Sequence, residues 1–252
     1  MDISVRNVRR QGGSLGISTK RPSMEATEMN DENDSSCQRI AYDIWQKEMI
    51  DELETARKEG VKLAAAVIGQ TLFSDDLFII SLIDKSLRLV DGFKSMIEQR
   101  NLTCAGILLR IQIDNCLRTY AFLAAADHQE VIDSMLGRSV QLNRLKAKDG
   151  KKMTDQYLRE QLEKVDKRFG TVYKEASGYI HHSKKAFYMI ASAATGPNSM
   201  ELDIGHALSP KYDVPLKECA EAFLFFLQCQ RALTQPVVES KKQFDLKDTE
   251  VG

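Results

Sequence analysis

From Cys104 to Ala126 the chain runs almost without a polar break, and that run limits what it can fold into. Ile107, Leu108, Leu109, Ile111, Ile113, Cys116, Leu117, Tyr120, Phe122 and Leu123 fall on every side of a helical period. A helix over about 103–126 therefore has no wide face for water and has to be enclosed by others. Arg110, Asp114 and Arg118 interrupt it at successive four-residue steps, forming one stripe along one face. A buried arginine or aspartate is costly without a partner. Two readings of the stripe follow. Arg110 and Asp114 pair with each other at the helix edge, an i,i+4 contact stabilising by about 0.2–0.5 kcal/mol, or they line a cleft and aim at the segment carrying His181 and His182 or at a ligand.

Helical periods continue on both sides. Ile40, Ile44, Trp45, Met49 and Leu53, then Val61, Ala64 and Ile68, predict one long helix or two joined pieces over 37–70, with Gly60 as the break. Ser74 with Asp75 and Asp76 reads as an N-cap and acidic first turn for a helix to about Gln99. Further helices are expected over 127–145, over 154–169 with Gly170 as terminator, from Thr171 to the histidines at 181–182, and over 213–235, where Pro236 ends or kinks the last. Short strand-compatible runs around Thr195-Gly196-Pro197-Asn198-Ser199 predict a small β-hairpin. The expected architecture is all-α, a bundle of about six helices with a β-hairpin insert near 186–204. Residues 1–36 read as a disordered arm, 37–238 as the helical domain, and 239–252 as a polar tail.

At 252 residues the chain can build a core without disulfide or metal support. Its 35 basic and 36 acidic residues nearly cancel, so contact with a polyanion requires a local patch. Five scattered cysteines without C-x-x-C spacing read as reduced thiols. No signal-peptide core opens the sequence and no uncharged run approaches the roughly 20 residues of a membrane span, so a cytoplasmic protein without membrane contact is expected.

Groups able to move a proton near neutral pH concentrate between Glu175 and Lys185, where His181 and His182 stand beside Ser177, Ser183, Lys184 and Lys185. Adjacent histidines project about 100° apart on a helix, so one metal ion does not easily take both. The H-E-x-x-H spacing is missing, and a site built from His182, Glu175 and Asp114 is the weaker option. No metal or other cofactor is expected. No activated cysteine is present, and Gly12-Gly13-Ser14-Leu15-Gly16, although it has the G-x-S-x-G spacing, follows no expected strand and lacks the context of a nucleophile elbow or of a phosphate loop. A histidine acid or base beside an arginine suffices for RNA cleavage through the 2′-hydroxyl. The bland counterpart is that His181 and His182 cap a helix and bond into the hairpin. For RNA contact, Lys148, Lys151 and Lys152 of the basic loop and Lys184 with Lys185 are the candidates.

Arg110-Ile111-Gln112-Ile113-Asp114 in an apolar helix, followed by Ser177-Gly178-Tyr179-Ile180-His181, resembles a family of bacterial all-helical proteins similar to the HEPN superfamily, over about residues 74–194. That resemblance implies a helical bundle, often dimeric, and a place among the ribonucleases and toxins of phage-defence and toxin–antitoxin systems. The Arg-x4–6-His pattern of the superfamily's nucleases does not occur here, and many HEPN-like members serve as binding or assembly modules. Two functions stand side by side. One is a homodimeric, metal-independent endoribonuclease using His181 or His182 with Arg110, Asp114 and Ser177. The other is a non-catalytic interaction module, with a partner protein, in which the same residues form a buried polar network.

Overall fold

In the computed structural model, backbone and side chains are described over residues 39–180 and 212–246, and backbone alone over 5–11, 14–17, 28–38, 191–193, 199–202 and 247–251. Seven α-helices make up the described body: α1 (Glu28–Ile68), α2 (Ser74–Glu98), α3 (Leu102–Ala124), α4 (His128–Met135), α5 (Asp155–Val165), α6 (Arg168–Ile180) and α7 (Asp213–Val251). As its composition demands, α3 is enclosed, packing against α2, α5, α6 and α7. Ile113, Leu117 and Phe122 join Leu53, Ile79, Phe93, Phe223 and Phe226 in one core, where Phe93 and Phe223 stack with ring centroids 4.0 Å apart.

The β-hairpin insert expected near 186–204 is not part of this helical body. Most of that span lies outside the described residues, leaving β3 (Ala191–Ala193) and β4 (Ser199–Leu202), two short antiparallel segments. With β1 (Val5–Gln11) and β2 (Ser14–Ile17) they follow the order β2-β1-β4-β3. Residues 1–36, read as an arm, contribute no described side chain.

Several helix ends differ from the sequence reading for identifiable reasons. Gly60 does not break α1. A Cβ there would meet Leu87 Cδ2 at 2.8 Å, so the glycine lets α1 lie close against α2. The N-cap of α2 is Phe73 rather than Ser74, because the Asp76 carboxylate reaches back to accept from the Phe73 N–H at 2.9 Å. Arg100 turns α2 into α3 with φ 51°, and its guanidinium lies 3.6 Å over the Tyr42 ring with Asp43 and Asp213 at 3.5 and 3.7 Å. Helix α4 stops at Met135 because Gly137 adopts φ 69° and the Arg138 N–H bonds to the Asp133 carbonyl at 2.8 Å, a Schellman closure. Asp166, not Gly170, separates α5 from α6: its carboxylate accepts from the Arg168 N–H at 2.9 Å. Gly170 sits inside α6, with the Glu163 carboxylate where a Cβ would go.

The last helix continues through Pro236. The segment beyond it buries Val238 at 3 % and Lys241 at 5 % exposure, and that packing outweighs the hydrogen bond the proline removes. No helix among the described residues is long and apolar enough to cross a membrane.

Candidate functional site

Arg110 points from α3 into the α3–α6 interface and is 8 % exposed. Two features bring α6 close enough to receive it. Gly106, one turn earlier on α3, has no side chain where the Tyr179 ring packs, and Tyr173 and Ser177 share one face of α6 at four-residue spacing. The Arg110 guanidinium donates from Nη2 to Tyr173 Oη at 2.6 Å and from Nε to Ser177 Oγ at 3.3 Å. Nη1 pairs with Asp114, and the group lies 4.0 Å from the Tyr173 ring centroid. Arg110 thus pairs with Asp114, as one reading of the stripe has it, but inside the α3–α6 interface rather than at the helix edge, while the histidines of the other reading lie outside the described residues. Arg118 goes elsewhere, to Asp155 of α5 at 2.7 Å.

Beside this centre opens a cavity of about 370 Å³ lined by Arg159, Glu163, Gly170, Tyr173, Lys174 and Ser177. Its charged lining is two cations and one carboxylate, a net excess of one positive charge. Arg159 lies 5.3 Å from the Tyr173 centroid, and its buried Nε has no hydrogen-bond partner among the described residues. Ser177 Oγ donates to the Tyr173 carbonyl at 2.8 Å while accepting from Arg110. Its proton is therefore held by backbone, with no hydrogen bond to a histidine or carboxylate among the described residues. Burial also pushes the Tyr179 phenol up from its ordinary pKa, so this ring remains neutral and does not serve as a base.

The structure thus brings Arg110, Asp114 and Ser177 together. His181, His182, Lys184 and Lys185 lie outside the described residues. Lys148, Lys151 and Lys152 stand on a turn at the far end of α3, closed by the Ala147 N–H to the Lys151 carbonyl at 2.8 Å. Lys148 Nζ donates to the Leu123 carbonyl at 3.0 Å and Lys151 lies 3.9 Å from Asp149. Thirteen residues separate Arg110 from Leu123, about 20 Å of helix, so these lysines and the arginine are not one site. No group of three or more metal-ligating side chains forms among the described residues.

Two clusters escaped the sequence reading. Ser86, Gln112, Asn115 and Gln230 form a buried knot between α2, α3 and α7, with Gln112 Nε2 donating to Gln230 Oε1 at 2.8 Å and Asn115 Nδ2 to the Leu82 carbonyl at 2.7 Å. Gln112 and Asn115 were visible inside the apolar run, and a polar amide in such a run is the signal. At the N-terminal end of α2, Lys241 pairs with Asp76, donates to the Thr71 carbonyl and lies 4.5 Å over the Phe73 ring. Next to it His128 Nδ1 is 3.1 Å from Asp75 Oδ2. Asp245 Oδ2 accepts from the Gln70 N–H at 3.1 Å. Nothing local in the polar segment after Pro236 announces these bonds. The chain matches no family model, no curated protein and no solved structure.

Proposed function

We propose that this chain is a non-catalytic helical interaction and assembly module, HEPN-like in its bundle and homodimeric. The observation that carries this reading is Arg110: buried, stacked on Tyr173 and held by Asp114, Tyr173 and Ser177, it has the environment of a group that joins helices. An arginine that stabilises charge in a transition state instead needs donors free to meet a substrate. Purified protein incubated with total RNA should leave it intact, light scattering should give twice the chain mass, and Arg110→Met should lower the unfolding midpoint.

A second reading draws on the cavity beside Ser177, whose Arg159 and Lys174 give it a positive excess suited to phosphate. In that reading the chain is a metal-independent endoribonuclease of a prokaryotic defence or toxin–antitoxin system, cytoplasmic, with His181 or His182 as acid or base. RNA cleavage that disappears in His181→Gln at an unchanged unfolding midpoint would establish the nuclease and remove the module.

A further inference from the structure

Where α5 turns into α6, the cavity of about 370 Å³ is walled mostly by polar groups. How their hydrogens and lone pairs are spent decides what it can hold. Arg159 and Glu163 reach it from α5, and Tyr173, Lys174 and Ser177 from α6. Arg159 and Glu163 stand at i,i+4, a spacing that favours an ion pair, yet no ion pair joins them. The Glu163 carboxylate instead rests against α6, where a Cβ on Gly170 would go.

Donors are left over on both helices. Arg159 Nε is buried and meets no acceptor among the described residues. Its guanidinium has the Tyr173 ring as a neighbour, 5.3 Å from the centroid, and a ring face takes no hydrogen from the edge of the fork. Tyr173 Oη accepts from Arg110 Nη2 at 2.6 Å, while its own hydrogen finds no acceptor among the described residues. Lys174 is exposed and carries no ion pair there either. Ser177 adds no donor, since its hydrogen goes to the Tyr173 carbonyl at 2.8 Å. A buried charged donor without an acceptor is costly, and an incoming oxygen removes that cost. The lining carries two positive charges and one negative. A single negative charge therefore neutralises it, and a dianion overshoots.

We propose that this cavity is a binding site for a small monocarboxylate, which bridges α5 and α6. Its two oxygens lie along the Arg159 edge formed by Nε and the adjacent Nη, the fork that matches a planar carboxylate. The Tyr173 hydroxyl and the Lys174 ammonium donate to the same group. The site goes beyond the module reading and leaves its Arg110 joint intact. It competes with the nuclease reading, which puts an RNA phosphate in this cavity.

Propionate is the probe, titrated into isotope-labelled protein with total ionic strength held constant by sodium chloride, so that screening does not change. Amide shifts on α5 and α6 should saturate with a Kd below about 20 mM. Inorganic phosphate at pH 8, mainly a dianion, should bind more weakly. Arg159→Gln removes no ion pair, so its unfolding midpoint should stay within a few degrees of wild type while propionate affinity falls at least about tenfold. Lys174→Gln changes an exposed residue and should weaken binding about threefold. Lys85→Gln removes an equal charge outside the cavity and should leave affinity unchanged. Absence of saturation by propionate would overturn the proposal, and so would affinity indifferent to Arg159→Gln. Phosphate bound more tightly than propionate would also overturn it, in favour of the phosphate that the nuclease reading requires.

Discussion

Without its carboxylate partner, Arg110 would keep two neutral oxygens and a ring but no compensating charge. Asp114 is one-third exposed, its side chain at 33 % against 10 % for Arg110. Water therefore offsets part of the loss, and the cost falls below the roughly 3–5 kcal/mol of a fully buried pair. We expect Asp114→Ala and Asp114→Asn each to lower the unfolding free energy by about 2 kcal/mol in urea titrations. A cost under about 0.5 kcal/mol would mean that the guanidinium reaches solvent. A second effect belongs to groups that dislike ionising. Burial pushes the Tyr42 phenol from 10.0 to about 12 and the Cys229 thiol from 9.0 to about 12. In each case the unfolded chain loses its proton first, so the folded state binds more protons and stability declines as pH rises from about 9 to 12. Denaturation midpoints measured from pH 8 upward should fall through that window, and Tyr42→Phe should fall less steeply.

Between elements, contact distance is set by what is missing. Gly106 leaves room for the Tyr179 ring, so Gly106→Ala should force α6 off α3, cost about 1–3 kcal/mol and admit protease near Ser177. Lys241→Met removes the positive half of a pair whose side chains are 4 % and 6 % exposed. It leaves the Asp76 charge buried, for which about 3 kcal/mol is the expected cost by calorimetry or urea titration. How legible these elements were in the sequence depends on how local their causes are. Helix α3 and its stripe could be read because apolar period and charge spacing lie within one segment, whereas the Arg110–Ser177 contact, 67 residues apart, enters the sequence reading only as part of a conditional site. The passage through Gly60 and the persistence of α7 past Pro236 could not be read, since each depends on a side chain from another helix, whereas the break at Asp166 has a local cause, its own carboxylate, that the sequence reading passed over. Ser86 and Gln230 meet across 144 residues, a distance at which no period in the chain carries information.

For the whole molecule, the described core begins at Tyr42, the first residue with a fully buried side chain. Deleting residues 1–34 should therefore leave the melting temperature within a few degrees of wild type, and a larger drop would mean that the arm docks on the bundle. The far end of the chain is different, because Lys241 closes a turn near residue 71. During synthesis at about 5–20 residues per second, Asp76 leaves the ribosome well before the lysine that neutralises it exists. The intervening 165 residues correspond to a wait of about 8–33 s. Through that interval the first two helices have to stand with an open joint, its carboxylate in water and Phe73 uncovered. A nascent chain stalled before residue 241 would thus present the Asp76 carboxylate, which the finished protein buries, beside a Phe73 ring more open than in the finished protein, the kind of surface that chaperones hold.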